Sequence, residues 1–430
     1  MLTLRPAPLT RLLIANGVSL LGTRVAAIAL PWFVLATTGS AARTGVVAAF
    51  ELLPYVLAKA FSGPLVDRVG ARRVAVTADL LSALAAVGAP VLHALGLLSF
   101  PLLLLFGVLL GSARGPGDLA KYVLIPELAE RTGQRLERAS GIVSVAERLA
   151  QGTLGPAVGG LLVTACGPLA AMLVNGASFA VVAAMVGLGL PRDAGRPVVT
   201  APAAESGEPG YWRQFGEGLA FLRDDRLLLA LTAMITVTNL LDAAFTAVLL
   251  PVWAQRTGQG AGVVGLLFAV SGAAGVGGSL IAAAVAHRLP RRLVFFLAFL
   301  VAGAPRFVAL ALHLPLPGLI GVFVASGFAA GFINPILGAI DFERIPRRML
   351  GRVGAIGDAL GWAGIPLGTV LAGLAVGAAG VAPVLLVAGG LYFLTTNLTG
   401  FRHEWREMDR RRPAAAPKPA VAPDTVPSEV

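Results

Sequence analysis

Gly63-Pro-Leu-Val-Asp67-Arg68-Val-Gly70-Ala-Arg72-Arg73 is a short basic segment between two long apolar stretches. Gly63 and Gly70 allow a tight turn and let two helix ends approach closely. Asp67 is an anion near helix ends, where it can meet a helix N-terminus or an arginine. The arginines hold such a loop on the cytoplasmic side of a membrane. The segment therefore predicts a cytoplasmic turn between two membrane helices.

The composition of the chain indicates a membrane protein. Of its 430 residues, 56% are hydrophobic and 13% are charged, whereas soluble domains carry about 25% charged residues. The formal net charge of +11 comes from basic residues scattered between apolar runs. They form no aromatic-interleaved patch, so we expect the lipid bilayer as a partner and not nucleic acid. The single cysteine, Cys166, excludes an internal disulfide and a cysteine-rich metal motif.

Twelve apolar runs have the length that a bilayer demands, about 17 to 25 residues. The first run is too long for a cleavable signal and carries Arg24 in its middle. We number the predicted spans 1 to 12 in chain order. They are 11–37, 43–62, 73–95, 98–120, 140–164, 168–190, 227–253, 260–286, 293–313, 316–338, 353–378 and 382–400.

Polar stretches divide the chain into regions. Residues 191–226 are rich in proline, glycine and charge, and predict a cytoplasmic linker with a short amphipathic piece near 211–222. The segment after Phe401 begins charged and ends rich in proline and alanine, which is typical of disorder. We therefore expect an N-terminal six-helix bundle over 1–190, the linker, a C-terminal six-helix bundle over 227–400 and a disordered cytoplasmic tail over 401–430.

Arginines accumulate on alternate loops. The segments after spans 2, 4, 6, 8, 10 and 12 each carry several, whereas the other loops offer only Arg43 and Arg256. Cytoplasmic loops of membrane proteins carry such an excess of basic residues. The distribution predicts a multi-pass protein of the inner cell membrane with both termini in the cytoplasm.

The second half of the chain repeats features of the first. Arg72-Arg73 is echoed by Arg291-Arg292, and Ile125-Pro126 by Ile345-Pro346, at offsets close to half the chain. The second copy of the basic turn, 287–292, has kept its arginines but contains no aspartate. The pattern predicts two halves related by duplication.

The opening segment resembles the loop between the second and third helices of the major facilitator superfamily of secondary transporters. The resemblance implies an all-α membrane protein with twelve helices in two pseudo-symmetric six-helix bundles, acting as a monomer, with its substrate site between the bundles. In this superfamily the loop aspartate is thought to contact the eleventh helix in the outward-facing state. In this chain the eleventh helix is expected to begin near 352–354. The residues that match this conformational motif are Gly63, Asp67, Arg68, Gly70, Arg72 and Arg73.

A second resemblance concerns direction of transport. Gly155-Pro156-Ala-Val-Gly159-Gly160 resembles the core of the antiporter motif found in exporters of this superfamily, although Gln151 and Gly152 depart from its upstream spacing. Proline forms a kink point, and the glycines form a smooth surface on which another helix can pack or slide. Ordinary small-residue packing is the alternative. Further stretches, including 28–34, 51–57 and 125–128, resemble the macrolide-efflux, siderophore-exporter and transmembrane secretion effector branch.

Charged residues inside the spans are the candidates for coupling transport to protons, because each costs about 2.5–3.5 kcal/mol to insert. A carboxylate in a low-dielectric surrounding can take and release a proton near neutral pH. Arg24 and Glu51 could instead form a structural ion pair. The residues that could be solvated at the cytoplasmic boundary are Lys59, Asp118, Lys121, Glu147 and Arg148. The proton-coupling candidates are Glu51, Asp242, Arg24, Arg114, Asp118 and Glu147.

Aromatic side chains suit a cavity for apolar or cationic compounds. The substrate-cavity candidates are Tyr55, Phe245, Phe268, Phe332 and Trp362, within a wider group that adds Trp32, Phe33, Phe50, Trp253 and Phe328. The sequence carries no Gly-rich nucleotide loop, nucleophile elbow or zinc-protease motif, so neither an enzyme nor a cofactor or metal is expected. We expect a secondary transporter that exports a small amphipathic organic compound or drug in exchange for protons. Uptake or exchange of a metabolite, a non-transporting sensor and a lipid-moving protein remain alternatives.

Overall fold

A computed structural model describes residues 8–134, 149–196, 211–285, 289–346, 349–400 and 403–409. Throughout these ranges the regular structure is helical, without a strand. Eleven described segments are long and apolar enough to cross a membrane. The chain is thus an all-α, multi-pass membrane protein, as the composition predicts.

Six predicted spans of the first half correspond to five long helices. The fifth and sixth merge into one segment, Gly152–Gly189, whose 38 residues would measure about 57 Å at 1.5 Å per residue, roughly twice the thickness of a bilayer core. Gly167 divides it, since its φ of 83° is not helical and favours glycine. The helices are Pro8–Thr38, Ala41–Phe61, Ala71–Ala94, Phe100–Arg131 and Gly155–Gly189, with a π-helical turn Leu149–Leu154 and a short helix Gly63–Val69.

The spans of the second half are interrupted more often. Spans 7, 9 and 11 each consist of two helices, and in each case a proline lies in the first turn of the second helix, where its missing N–H costs no hydrogen bond. The helices are Arg226–Ala244 and Leu250–Arg256 joined by the π-helical turn Phe245–Leu249, Gly260–Val285, Arg291–Ala302 and Ala304–Ala311, Leu316–Arg344, Leu350–Ala363 and Ile365–Ala379, and Val381–Gly400.

One inter-helix contact occurs in both halves. Arg72, at the start of span 3, donates a hydrogen bond to the carbonyl of Gly187 near the end of span 6. Arg292, at the start of span 9, donates at 3.2 Å to the carbonyl of Gly400 at the end of span 12. A cation beside the C-terminal carbonyls of a helix also complements the helix dipole. The echo of Arg72-Arg73 in Arg291-Arg292 therefore corresponds to a repeated structural role.

The predicted linker and tail contain ordered pieces packed on the second half. A helix, Tyr211–Asp224, lies within the predicted linker, and its Leu222 is buried in the core of the second half. Residues 403–409 form a 3₁₀ helix whose Trp405 is fully buried beside Phe295, with ring centroids 5.5 Å apart. The prediction of a disordered tail over 401–430 is therefore wrong for 403–409, because an indole at this position covers apolar surface.

Candidate functional site

A cavity of about 1480 Å³ lies between the two halves of the molecule. Spans 1, 2, 4 and 5 line it from one half, and spans 7, 8, 9 and 11 from the other. Its lining reaches Gly63 and the exposed Tyr122, which lie toward the end of the molecule that carries the basic loops. We refer to this end as the basic end. The cavity therefore opens toward the basic end.

Close backbone contacts shut the cavity at the opposite end. A Cβ added to Gly45 of span 2 would lie 2.2 Å from the carbonyl oxygen of Thr369 in span 11. A Cβ on Gly160 of span 5 would lie 2.8 Å from the Cα of Gly265 in span 8. Distances below 3 Å leave no room for any side chain, so these glycines hold the two halves together at that end.

The antiporter-like motif takes part in this closure. Gly160 contacts span 8, whereas a Cβ on Gly159 would meet the Cα of Val25 in span 1 at 3.0 Å. A Cβ on Gly155 would lie 2.4 Å from the Cβ of Arg24, so this glycine makes room for the arginine. Pro156 and Arg24 line the cavity. The motif therefore packs span 5 against span 1 and against the opposite half.

Two glycines allow span 4 to pack closely against span 2. This close packing determines which charged side chains of the first half contact each other. Cβ atoms on Gly111 and Gly115 would lie 2.1 Å from the carbonyl oxygen of Glu51 and 2.7 Å from the backbone nitrogen of Lys59. At this close approach the guanidinium of Arg114 donates to the Glu51 carboxylate at 3.0 Å. The alternative raised from sequence, an ion pair of Glu51 with Arg24, did not anticipate this partner, because Arg114 lies on a span that only packing brings close.

Asp118 continues the charged group toward the basic end. Its carboxylate lies 4.0 Å from Arg114 and 3.6 Å from the ammonium of Lys121, and it accepts a hydrogen bond from the Tyr55 hydroxyl at 3.3 Å. Glu51, Tyr55, Arg114 and Asp118 all line the cavity. Carboxylates and cations thus alternate within this group, so that Glu51, Arg114 and Asp118 each have a neighbour of opposite charge.

Lys121 is the last charged residue of this group, and its side chain is buried inside the protein. Its ammonium donates to Asp79 at 3.0 Å and to the Ser19 hydroxyl at 3.2 Å, and both charged side chains are 1% exposed. The alternative of a solvated Lys121 is therefore wrong. Sequence reasoning also missed Asp79, although it is a carboxylate well inside the apolar run of span 3, where an ionisable residue signals a role.

The second half contributes an ion pair to the cavity wall. Arg306 donates to the carboxylate of Asp242, and both side chains line the cavity. Arg306 lies in the first turn of the helix that restarts span 9 after Gly303, and Asp242 lies just before the π-helical turn of span 7. The guanidinium stacks over Phe245 at 4.7 Å and Phe307 at 5.4 Å from the ring centroids.

The aromatic candidates divide into two groups. Tyr55, Phe268 and Trp362 line the cavity. Phe245 does not, since it is fully buried behind Arg306, and Phe332 packs on Phe328 with centroids 5.5 Å apart. Their assignment to the cavity lining is wrong because both belong to helix packing in the second half. The wider group is likewise outside the lining: Trp32, Phe33, Phe50, Trp253 and Phe328.

The proton-coupling candidate Glu147 lies outside the described residues, as does Arg148.

The basic-loop motif frames the open end. Gly70 has a φ of 96°, a conformation that glycine adopts without strain, while Gly63 begins the short helix that follows span 2. Arg72 bonds to span 6, whereas Asp67, Arg68 and Arg73 are exposed. With the cavity open at this end, the Asp67 carboxylate faces solvent.

Both halves of the sequence match one known protein family. The sequence matches the family profile of the Major Facilitator Superfamily over residues 12–243 and again over 232–424. The chain belongs to the Major Facilitator Superfamily. The two successive matches agree with the internal repeat, and membership makes the chain a multi-pass membrane transporter with the twelve-helix architecture of this superfamily, not an enzyme.

Relatives within the Major Facilitator Superfamily extend over almost the whole chain. The multidrug efflux pump Tap of Mycobacterium tuberculosis (strain ATCC 25618 / H37Rv) is 32% identical over 411 residues, covering 94% of this chain and 95% of Tap. The Tap protein of Mycolicibacterium fortuitum is 29% identical over 407 residues, covering 94% and 97%.

Solved structures support the fold. The nucleoside transporter NupG, crystallised as a point mutant, superposes with a TM-score of 0.74 at 14% identity, covering 92% of this chain and 100% of that one. A bacterial homologue of the human lysosomal transporter Spinster gives a TM-score of 0.70 at 14% identity, covering 97% and 100%. These similarities show the twelve-helix architecture alone.

Proposed function

We propose that this protein exports a small amphipathic organic compound from the cell in exchange for protons, by alternating access. The cavity between the halves carries the proposal, because it is open at one end and combines charged with aromatic walls. The arginine distribution argues that the open end faces the cytoplasm, the side from which an exporter takes up its cargo. The efflux activity named for the Tap relatives supports this direction.

The lining suits an amphipathic cargo. Tyr55, Phe268 and Trp362 supply aromatic surface, while the ion pairs of Glu51 and Asp242 supply polar contacts on opposite walls. Ligand sites of this kind combine mostly apolar walls with a few placed polar groups. The volume exceeds the roughly 300–1,000 Å³ of common ligand pockets, which fits a site that accepts compounds of different shape.

Glu51 and Asp242 are our proposed proton carriers. Each carboxylate is held by an arginine of the same half, Arg114 or Arg306. Protonation neutralises the carboxylate and weakens its charge-assisted hydrogen bond to the arginine. Arg114 is then free to contact Asp118, and either arginine is free to contact cargo. A proton taken up on one side of the membrane would thereby change the charge of the wall that the cargo meets.

Accumulation of ethidium in cells that overexpress the protein tests the proposal. We expect less ethidium in these cells than in vector controls, and loss of the difference when a protonophore is added. Glu51→Gln and Asp242→Asn should each reduce efflux at least tenfold, whereas Asp224→Asn on the exposed surface should leave it unchanged. Equal expression is checked by fluorescence-detected size exclusion.

Other outcomes of the ethidium assay would favour the alternative functions. Greater accumulation would establish uptake, and unchanged accumulation across a panel of dyes and antibiotics would favour a sensor. Altered lipid composition of the two leaflets without dye transport would favour a lipid-moving protein. Full efflux in both carboxylate variants would discard Glu51 and Asp242 as the coupling sites while leaving export intact.

A further inference from the structure

Lys59 occupies a position between two aromatic rings from opposite halves of the protein. Its ammonium lies 5.7 Å from the ring centroid of Tyr55 in span 2 and 5.3 Å from that of Trp362 in span 11. Cations within about 6 Å of an aromatic face are attracted by the ring quadrupole. The Lys59 side chain thus connects the two walls of the cavity, and all three residues line it.

Asp358 adds a negative charge to this position. It lies one helical turn before Trp362, so the two share one face of span 11, and it also lines the cavity. Its carboxylate interacts electrostatically with the Lys59 ammonium. Two aromatic rings and a carboxylate around a positive charge are the chemistry that recognises ammonium ligands.

Lys59 is held less firmly than two arginines of the cavity wall, Arg114 and Arg306. Arg114 and Arg306 are fixed by Glu51 and Asp242 through charge-assisted hydrogen bonds. In the described part of the chain, Lys59 makes cation–π contacts in place of an ion pair. Such contacts are worth about 0.5–2 kcal/mol, and the lysine side chain has a long flexible stem. A free organic cation can therefore compete with it.

We propose that Tyr55, Trp362 and Asp358 form a binding site for organic ammonium and phosphonium ions, which the Lys59 side chain occupies in this state. Lys59 is then a specificity-determining residue, because a cationic ligand must displace it and overcome its charge. Neutral ligands that bind elsewhere in the cavity meet no such competition. The inference rests on the proposed function only in taking this cavity as the cargo site.

Binding of tetraphenylphosphonium to the purified protein, measured by calorimetry, tests the inference. We expect Lys59→Met to bind it at least tenfold more tightly than the wild type, since methionine preserves length without charge. Lys59→Arg should stay within threefold of the wild type. Trp362→Leu or Asp358→Asn, added to Lys59→Met, should each remove most of the gain. Thermal melting of every variant verifies folding, and Lys59→Gln replaces Lys59→Met if the latter does not fold.

Triphenylphosphine oxide, an uncharged compound of similar shape, distinguishes the effect of removing the lysine charge from the effect of freeing space in the site. Its affinity should change less than threefold between the wild type and Lys59→Met. Equal gains for both compounds, no gain for the phosphonium, or a gain that survives Trp362→Leu would each overturn the proposal. No proton gradient or transport direction enters this measurement. Failure of the efflux assay and failure of the Lys59 site are therefore distinguishable.

Discussion

Lys121 and Asp79 form an ion pair at 3.0 Å in which both side chains are only 1% exposed. The pair joins span 4 to span 3, and the hydrogen bond of Lys121 to Ser19 adds span 1. Removing two charges from water costs several kcal/mol per ion, and mutual attraction must offset that cost. The three spans are therefore held together by a contact that is stable only while both partners are present.

Loss of Lys121 alone should destabilise the protein severely. Lys121→Met leaves the Asp79 carboxylate buried without its cation, and breaking a buried pair in this way costs about 3–5 kcal/mol. We expect a clear fall in the melting temperature of the purified protein in detergent. The double variant Lys121→Met with Asp79→Asn should recover much of the loss. Arg131→Gln, which breaks the exposed contact to Asp193, should leave melting unchanged, and an equal fall in all three variants would contradict this account.

Contact between spans 5 and 8 should depend on glycine at specific positions. A Cβ on Gly272 would lie 1.5 Å from the carbonyl oxygen of Gly152, whereas one on Gly277 of the same helix would meet nothing within 4 Å. We expect Gly272→Ala to force the two halves apart and lower dye efflux at least tenfold. Gly277→Ala is the matched control and should retain efflux within twofold. Similar activity of both variants would show that the contact is not required.

The helices could be predicted from sequence because their signals are local. Apolar runs of bilayer length and the glycine-spaced basic turn each depend on residues near one another in the chain. The break at Gly167 falls between the predicted spans 5 and 6, 140–164 and 168–190, so it agrees with the prediction. The helix of span 4 ends at Arg131 and not at the predicted residue 120, because its last turns carry charged residues that interrupt the apolar run.

The partners of the charged residues could not be predicted in the same way. Glu51 pairs with Arg114 because Gly111 and Gly115 let span 4 approach span 2, and that proximity is a property of packing. Phe245 and Tyr55 are both aromatic residues in predicted spans, yet one is buried and the other lines the cavity. Which face of a helix meets the cavity depends on neighbours distant in sequence.

The backbone at Gly70 predicts a stability effect. Its φ of 96° lies outside the range of ordinary L-residues, and holding another residue there costs about 1–3 kcal/mol. Gly70→Ala should lower the melting temperature and the yield of folded protein. Gly63→Ala is the comparison, because a Cβ there would meet nothing within 4 Å. Equal melting of the two variants would indicate that the turn relaxes without cost.

The anchored segment after span 12 should contribute to stability. Trp405 is fully buried, and truncation of such a side chain to alanine costs about 3–5 kcal/mol. Trp405→Ala should therefore lower the melting temperature and expose 403–409 to limited proteolysis. Arg406→Gln changes the exposed neighbour and should do neither. Resistance of Trp405→Ala to proteolysis would mean that the ion pair of Glu407 with Arg344 holds the segment alone.

Asp67 should influence the balance between the two access states. Its carboxylate is exposed while the cavity is open at the basic end, so it gains a partner only if that end closes and brings the start of span 11, a positive helix end, toward it. Asp67→Ala should leave folding intact and favour the state described here. A cysteine placed at Thr44, which lines the closed end of the cavity, should then react more slowly with a membrane-impermeant maleimide applied from outside. The same cysteine in an Asp224→Ala background provides the reference rate. A rate in the Asp67→Ala background equal to that reference would show that the loop carboxylate makes no contact specific to the closed basic end.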